Sequence, residues 1–166
     1  YIQPTQVLTY TIRFQNIGNH VANSVNITDV LPDGIDVSTL KVMAQSHEGL
    51  SVVTKGQKVS FQFDDIYLSD SVSNKEGSQG FIVFSASPVK GIKAGTILRN
   101  KASIRFDNYE EMSTNEVLNT IQSKQQELSM LEVKAYPNPA MDVIYISLKH
   151  KMGKYSNKII SKVEMV

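Results

Sequence analysis

The sequence predicts an all-β protein: an immunoglobulin-like antiparallel β-sandwich of about seven strands, followed by a partial second β unit. Three observations support this fold class. Apolar side chains alternate with polar ones in short runs, as half-buried strands require. Glycine, proline or asparagine separates these runs at short intervals. No apolar pattern with the 3.6-residue period of a helix occurs before Ser123. A Greek-key barrel is the alternative architecture.

The first three strands are predicted from alternation and turn residues. The first covers residues 8–14, where apolar side chains alternate with threonine and arginine, and Asn16–Asn19 ends it. The second begins at Val25 and stops at residues 31–34, where proline is followed by aspartate and glycine. A third apolar run covers residues 40–44.

A hairpin and a central strand are predicted next. Residues 50–54 and 59–63 flank Lys55–Lys58, which contains a glycine suited to a short turn. Residues 64–80 are polar, and we expect them to form a long surface loop. Residues 81–86 are almost continuously apolar, which is typical of a central strand covered on both faces.

The last strands of the sandwich and a change of composition define the domains. Alternating apolar residues at 96–106 and a final run at 116–121 complete a module that we place at residues 1–122. Residues 123–130 are expected to be a linker, because Ser123 to Glu127 carry no apolar side chain. Residues 131–166 contain further strands and have a net charge of +3, whereas residues 1–122 have a net charge of −2.

Composition excludes several classes of protein. The 166 residues include 17 Lys and Arg and 16 Asp and Glu, and this balance argues against a nucleic-acid partner. The absence of cysteine excludes disulfides, thiolate catalysis and cysteine-ligated zinc. No run approaches the roughly 20 apolar residues of a membrane span, so a membrane-embedded protein is not expected.

The sequence shows no catalytic motif, and we expect no enzyme. The three histidines are isolated, and neither a nucleophile elbow nor a phosphate-binding loop occurs. No cofactor is predicted, although calcium is an alternative: Asp107, Asn108 and Glu110 follow a strand end and offer oxygen ligands. Asp70-Ser71-Val72 resembles the short O-glycosylation motif of Bacteroidota, which requires an exposed hydroxyl on a flexible loop and makes Ser71 a candidate.

An adhesive or carbohydrate-binding sandwich is the alternative function. Such a platform usually needs exposed aromatic side chains. Tyr67 and Tyr109 lie in or near predicted loops, so exposure of both on one face would favour this alternative. Catalysis would instead need a buried polar cleft with carboxyl groups of perturbed pKa.

A family resemblance covers roughly residues 5–122. Residues 8–18, LTYTIRFQNIG, are similar to the TYTIxFxNxG opening of the Ig-like repeat domain of bacterial (Bacteroidota) surface proteins. Residues 22–34 and 99–117 continue that family's pattern in the same order. The resemblance implies a non-catalytic stalk or spacer module.

A second resemblance covers residues 131–166. They resemble the start of the C-terminal sorting domain of type IX secretion cargo, which opens with VYPNPAxDxLxI. The family's later Gly-Lys turn and closing strand are missing, so we expect the N-terminal part of such a domain, cut from a longer protein. The residues that match the motif are Tyr136, Pro137, Asn138, Pro139 and Asp142.

The second resemblance implies partners and a location. In that family, the type IX secretion translocon and its outer-membrane shuttle recognise the sorting domain, and the cargo crosses the outer membrane. The tag is then usually removed, which would require cleavage between Gln122 and Met130. We therefore expect an extracellular or cell-surface protein whose C-terminal segment is its export signal.

Overall fold

The computed structural model describes residues 1–122, 131–136 and 145–150. Within these residues the chain is all β, and it divides into two compact units, Tyr1–Ile121 and Gln122–Val166. Ten strands belong to the first unit. They are β1 Leu8–Gln15, β2 Val25–Val30, β3 Ile35–Gln45, β4 Leu50–Lys55, β5 Lys58–Phe63, β6 Gln79–Pro88, β7 Ile97–Asn100, β8 Ala102–Phe106, β9 Met112–Ser113 and β10 Val117–Thr120.

The strands of the first unit form two main antiparallel sheets and one two-stranded ribbon. One sheet has the order β1-β6-β3, and the other has the order β4-β5-β2-β8-β9. Strands β7 and β10 pair with each other as the ribbon. The predicted immunoglobulin-like sandwich is thereby confirmed, and β6 is the central strand of its sheet, as its apolar sequence predicted. The strand is not covered on both faces as expected, because Phe81 and Val83 on its outer face are only half-buried.

Aromatic side chains from both sheets fill the core. Phe61 of β5 and Phe84 of β6 lie with their ring centroids 5.0 Å apart. Phe14 of β1 packs on Phe63 of β5 at 5.8 Å. Each of these side chains is buried and contributes about 1.5–3 kcal/mol through removal of apolar surface from water.

The strands differ from the predictions in several places. The third strand begins at Ile35, five residues before the predicted start. Ile35 is buried in the core, whereas Leu40 of the predicted run is only partly buried against it. The predicted run 96–106 is divided at Lys101 into β7 and β8, which lie in different sheets. The short strand β9 was not predicted, because two residues are too few to show alternation.

The polar segment 64–80 is only partly the surface loop that its composition predicted. Leu68, Asp70 and Ser78 are buried, and Leu68 forms an antiparallel bridge with Ala22. Composition did not reveal this, because the pairing of Leu68 depends on a loop far away in sequence.

The connections of the sandwich gather at two poles. The distal pole consists of residues 16–24, 46–49, 64–78 and 107–111. At the opposite, proximal pole, Gly95 N–H donates to Ile121 O, and Ile2 forms a parallel bridge with Ile121. The chain therefore leaves the sandwich at the pole opposite the distal loops.

The second unit contains β11, Leu131–Tyr136, and β12, Tyr145–His150. The two strands pair in antiparallel register from Leu131 with His150 to Tyr136 with Tyr145. A β-hairpin is therefore the described part of this unit.

Candidate functional site

Asn16 organises the distal pole. Its side-chain amide donates to His20 O at 2.8 Å and to Leu68 O at 3.0 Å, and its Oδ1 accepts from the N–H of Gly18 at 3.1 Å. Its backbone N–H donates to Ser78 O, and its carbonyl accepts from Ser71 N–H. A single buried side chain therefore holds the β1–β2 loop against the segment 64–78.

Asp107 ties a third loop to the same pole. Its carboxylate accepts hydrogen bonds from the backbone N–H groups of Asn23 and Ser24, at 3.0 and 2.7 Å, and one from the Ser24 hydroxyl. Asp107 has a φ of 47°, an unusual conformation for a residue with a side chain. Asp65 and Tyr67, in the neighbouring segment, also have positive φ, so all non-glycine residues of this kind in the described chain lie at the distal pole.

The calcium prediction finds no support at Asp107, Asn108 and Glu110. The carboxylate of Asp107 is engaged by Asn23 and Ser24. Among the residues that the structure describes, no group of three or more His, Cys, Asp or Glu side chains could hold a metal ion.

A groove of about 550 Å³ opens between the β1–β2 loop and residues 106–112. Ile17, Val21, Tyr109 and Met112 line it and are all exposed. Tyr109 is 71% exposed, which makes its ring available for stacking. Tyr67, 64% exposed, lies at the same pole but does not line the groove.

The candidate glycosylation residue Ser71 lies in a hydrogen-bonded turn. Asp70 Oδ1 accepts from the N–H groups of Val72 and Ser73, and Ser71 N–H donates to Asn16 O. The Ser73 N–H lowers the pKa of Asp70, because it stabilises the charged carboxylate. Ser71 is half-buried, so it is less accessible than it would be in the exposed, flexible loop that the sequence predicted.

A polar pair lies inside the sandwich. Asn100 Nδ2 donates to Asp29 Oδ2 at 2.9 Å, and Asp29 Oδ1 and Asn100 Oδ1 are both buried without a partner among the described residues. The hydroxyl of Tyr10 is also buried and unpartnered there. Burial raises the pKa of Asp29, and burial together with the charge of Asp29 raises the pKa of Tyr10 to about 12.

Asp29 has one property of a catalytic acid, a pKa raised by burial, but not the others. Its side chain is enclosed, and its hydrogen-bond partner is the amide of Asn100. A groove of about 430 Å³ runs between β1 and strands β8 and β9, yet the unpartnered oxygens of Asp29 and Asn100 are sealed from solvent. We therefore interpret the pair as a structural element.

Sequence reasoning did not identify this pair, although the alternation contained the signal. Asp29 follows Val25 and Ile27 at two-residue steps, so it points to the same side of β2. Asn100 precedes Ala102 and Ile104 in the same way across the β7–β8 boundary. A polar residue at a position where the two-residue alternation predicts a core-facing side chain is the signal that identifies Asp29 and Asn100.

The predicted sorting motif begins at the end of β11. Tyr136 is the last residue of that strand and pairs with Tyr145. The remaining motif residues lie outside the described residues: Pro137, Asn138, Pro139 and Asp142.

Comparison with known families gives the sandwich an assignment. Residues 1–120 match the family model described as domain of unknown function DUF7619. The chain belongs to the DUF7619 family. No curated protein matches this DUF7619 chain in sequence.

Solved structures resemble the DUF7619 sandwich at low sequence identity. The major pilin subunit BcpA of Bacillus cereus is 18% identical with a TM-score of 0.51, covering 72% of this chain and 36% of the pilin. The major pilin SpaD of Corynebacterium diphtheriae is 20% identical with a TM-score of 0.52, covering 71% of this chain and 32% of the pilin. The chain thus spans about a third of the length of these pilins.

A third structure, described as BspA_C_WT, is 10% identical with a TM-score of 0.55 and covers 90% of this chain and 55% of its own. At such low sequence identity, these structural similarities show only that the sandwich fold is shared. In the described part of the DUF7619 chain, no helix is long and apolar enough to cross a membrane.

Proposed function

We propose that residues 1–122 are a non-catalytic structural module of a secreted or cell-surface protein. One observation carries the proposal: the polar side chains at the candidate binding and catalytic sites form hydrogen bonds within the protein. Asn16 and Asp107 bind backbone groups of neighbouring loops, and Asp29 binds Asn100 within the core. These polar side chains serve the fold rather than a substrate.

The fold relatives support a surface location. BcpA and SpaD are major pilins of bacteria, and their sandwiches resemble this DUF7619 module. The resemblance of residues 5–122 to Ig-like repeats of Bacteroidota surface proteins points in the same direction.

A structural module is expected to fold without its C-terminal neighbour. Deletion of residues 131–166 should leave residues 1–122 with a single cooperative unfolding transition, measured by circular dichroism during heating. Loss of that transition would contradict the domain limits 1–122, 123–130 and 131–166.

Residues 131–166 form the second half of the proposal, as the N-terminal part of a type IX sorting domain. Its support is the motif from Tyr136 to Asp142, which begins at the last residue of β11. The proposed partners are the secretion translocon and its outer-membrane shuttle, and the proposed source is a member of the Bacteroidota.

Export of a reporter tests the sorting signal. The segment from residue 123 to the natural end of the gene product is fused to a periplasmic reporter in a host with type IX secretion. We expect the reporter in the medium or on the cell surface. A matched fusion with Pro137→Ala and Pro139→Ala should remain in the periplasm. Retention of the unaltered fusion would refute the signal.

A second candidate function, adhesion to a carbohydrate, is favoured by the aromatic side chains of the distal pole. Tyr67 and Tyr109 are both exposed there, and Tyr109 borders the groove. A sugar ring stacked on Tyr109 would find polar partners in Gln15 and Asn19 along the same groove.

Glycan-array binding tests this second function. The full chain is compared with Tyr109→Ala and with Tyr1→Ala, which removes a similarly exposed tyrosine at the proximal pole. Binding that is lost only in Tyr109→Ala would support the groove. Absence of binding to any glycan would leave the structural module as the sole function.

Ser71 remains a proposed O-glycosylation site. The hydroxyl lies in the turn that begins at Asp70, and the neighbouring Val72 is 87% exposed. Intact mass of the protein from its native host, compared with Ser71→Ala and Ser73→Ala, tests it. A glycan mass absent only in Ser71→Ala is expected.

A further inference from the structure

Strand β4 has an open edge. It is the terminal strand of the five-stranded sheet and pairs only with β5 among the residues that the structure describes. All of its residues except Leu50 are exposed, including Val52 and Val53, which are 38% and 64% exposed. An edge strand with unpaired backbone groups and β-branched side chains is a template for another strand.

The other edges of the two main sheets are protected. Strand β3 has two register shifts along its pairing with β6, and β9 has only two residues. Strand β1 borders the groove whose other wall is formed by β8 and β9, so a strand added there would meet this wall. In β4, neither proline nor a register shift interrupts the strand, and its one charged residue, Lys55, is at its end.

The hairpin turn determines which backbone groups of β4 face outwards. Lys55 pairs with Lys58 across two turn residues, and Gly56, the first of these, has a φ of 58°. Residues that flank such a turn are hydrogen-bonded to each other, and the bonded positions then alternate along the strand. The N–H and C=O groups of Leu50, Val52 and Thr54 therefore point away from β5.

We propose that this edge binds a second copy of the same chain, with the two β4 strands antiparallel across a two-fold axis at Val52. In this register Val52 faces Val52 of the second copy, and Leu50 faces its Thr54. All three outward-facing residues of each strand then pair with outward-facing residues, which gives the isologous interface of a symmetric dimer.

Side-chain chemistry fits this register. The centre of the interface pairs valine with valine, a combination that stabilises cross-strand contacts. Lys55 lies opposite Gly49 of the second copy and next to its Glu48, so opposite charges meet at both ends. No two lysines face each other.

The pairing joins two five-stranded sheets into one sheet of ten strands. Because the partner strands are antiparallel, the distal poles of the two modules point in opposite directions. Both distal grooves remain open, so this self-association goes beyond the structural and adhesive functions proposed above and is independent of them.

A single introduced cysteine tests the register directly, because the natural chain contains none. In the full chain, Val52→Cys places two cysteines opposite each other, with Cα atoms about 5.5 Å apart, within reach of a disulfide. Thr54→Cys places them about 14 Å apart. We expect Val52→Cys to form a disulfide-linked dimer roughly tenfold or more faster than Thr54→Cys on mild oxidation, because paired cysteines have a high effective concentration.

Charge complementation provides the second test. Val52→Lys and Val52→Glu should each be monomeric in sedimentation equilibrium, because like charges face each other, and an equimolar mixture should form a heterodimer. Met43→Lys, at an exposed site on β3, should leave the wild-type dimer intact. A monomeric wild-type chain at millimolar concentration, or equal cross-linking of the two cysteine variants, would overturn the proposal.

Discussion

The Nδ2 of Asn100 donates a 2.9 Å hydrogen bond to Oδ2 of Asp29, and neither residue is more than 6% exposed. The bond joins β7 of the two-stranded ribbon to β2 in the middle of the five-stranded sheet. It leaves one oxygen acceptor on each side chain unpartnered. A proton on the Asp29 carboxyl changes one of these acceptors into a donor, which is why this pair should respond to pH.

Replacement of Asp29 by asparagine should stabilise the protein at neutral pH. An amide at position 29 can accept from Asn100 and also donate to it, which supplies the buried acceptor with a partner. An unsatisfied buried polar group costs about 1–3 kcal/mol, and we expect Asp29→Asn to raise the free energy of unfolding by an amount in this range. Urea unfolding at pH 7 measures it, with Asp33→Asn, at an exposed turn, as the control.

The same variant should lose part of the pH dependence of stability. Burial raises the pKa of Asp29 in the folded state above its reference value of 3.8, so the folded state binds the proton more tightly. The stability that protonated Asp29 contributes is therefore complete below the unfolded-state pKa and is lost as pH rises through the folded-state pKa. The pKa of Asp70 is lowered in the folded state, so Asp70 makes stability change with pH in the opposite direction. This contribution is the same in the wild-type protein and in Asp29→Asn. An unchanged slope in Asp29→Asn would show that the pKa of Asp29 is the same in the folded and unfolded states.

Replacement of Tyr10 by phenylalanine should also stabilise the fold. The hydroxyl of Tyr10 is buried without a partner in the described structure, while its ring stacks on Phe84 with centroids 5.2 Å apart. The variant keeps the ring and removes the group that lost its hydration, so the free energy of unfolding should rise by about 1 kcal/mol. The denaturant midpoint is compared with that of Tyr109→Phe, an exposed site. A destabilised Tyr10→Phe would indicate that the hydroxyl has a bound water.

Replacement of Asn16 by alanine should loosen the distal pole. The change removes both amide donors, and the buried carbonyl of Leu68 loses its side-chain partner. We expect a loss of about 2–3 kcal/mol and faster hydrogen exchange in residues 16–24 and 64–78 than in β5 and β6. Asn19→Ala, whose side chain is exposed, should change stability by less than about 0.5 kcal/mol. Uniform acceleration of exchange would mean that Asn16 supports the whole sandwich.

Replacement of Gly80 by alanine should disrupt the pairing of β1 with β6. Gly80 lies opposite Phe14, and a Cβ at this position would overlap the phenylalanine ring. Such overpacking costs about 2–3 kcal/mol. In a Phe14→Leu background the same change should cost much less, because the smaller side chain leaves room for the methyl group. Thermal unfolding of the wild type, the two single variants and the double variant gives the coupling energy between positions 14 and 80. Additive effects of the two changes would exclude a direct clash.

Local alternation was sufficient to predict most of the sandwich. The side chains of β1 and β2 obey a two-residue period because one face of each strand packs on the core, so burial can be read from sequence alone. The hairpin of β4 and β5 was also predictable, since Gly56 allows the tight turn. The same two-residue period could have revealed that the side chain of Asp29 faces the core.

The distal pole could not be predicted in the same way. Leu68 is buried because Ala22 pairs with it, and the groove exists because residues 106–112 fold against the β1–β2 loop. These contacts join segments that are distant in sequence, and no periodic pattern encodes them. The exposure of Tyr109 was foreseen as a possibility to be tested, but its position beside a groove depends on Asp107 holding Ser24.

The parallel bridge between Ile2 and Ile121 has a mechanical consequence. Ile2 N–H donates to Thr120 O, which joins the entering and leaving segments at one pole. Ile121 N–H donates to Thr96 O and ties the leaving segment to the sandwich. Tension applied through these two segments loads this short link in shear. The long strands and the distal loops lie outside the path of the force. A chain under tension would therefore keep its distal groove intact until the bridge between Ile2 and Ile121 breaks.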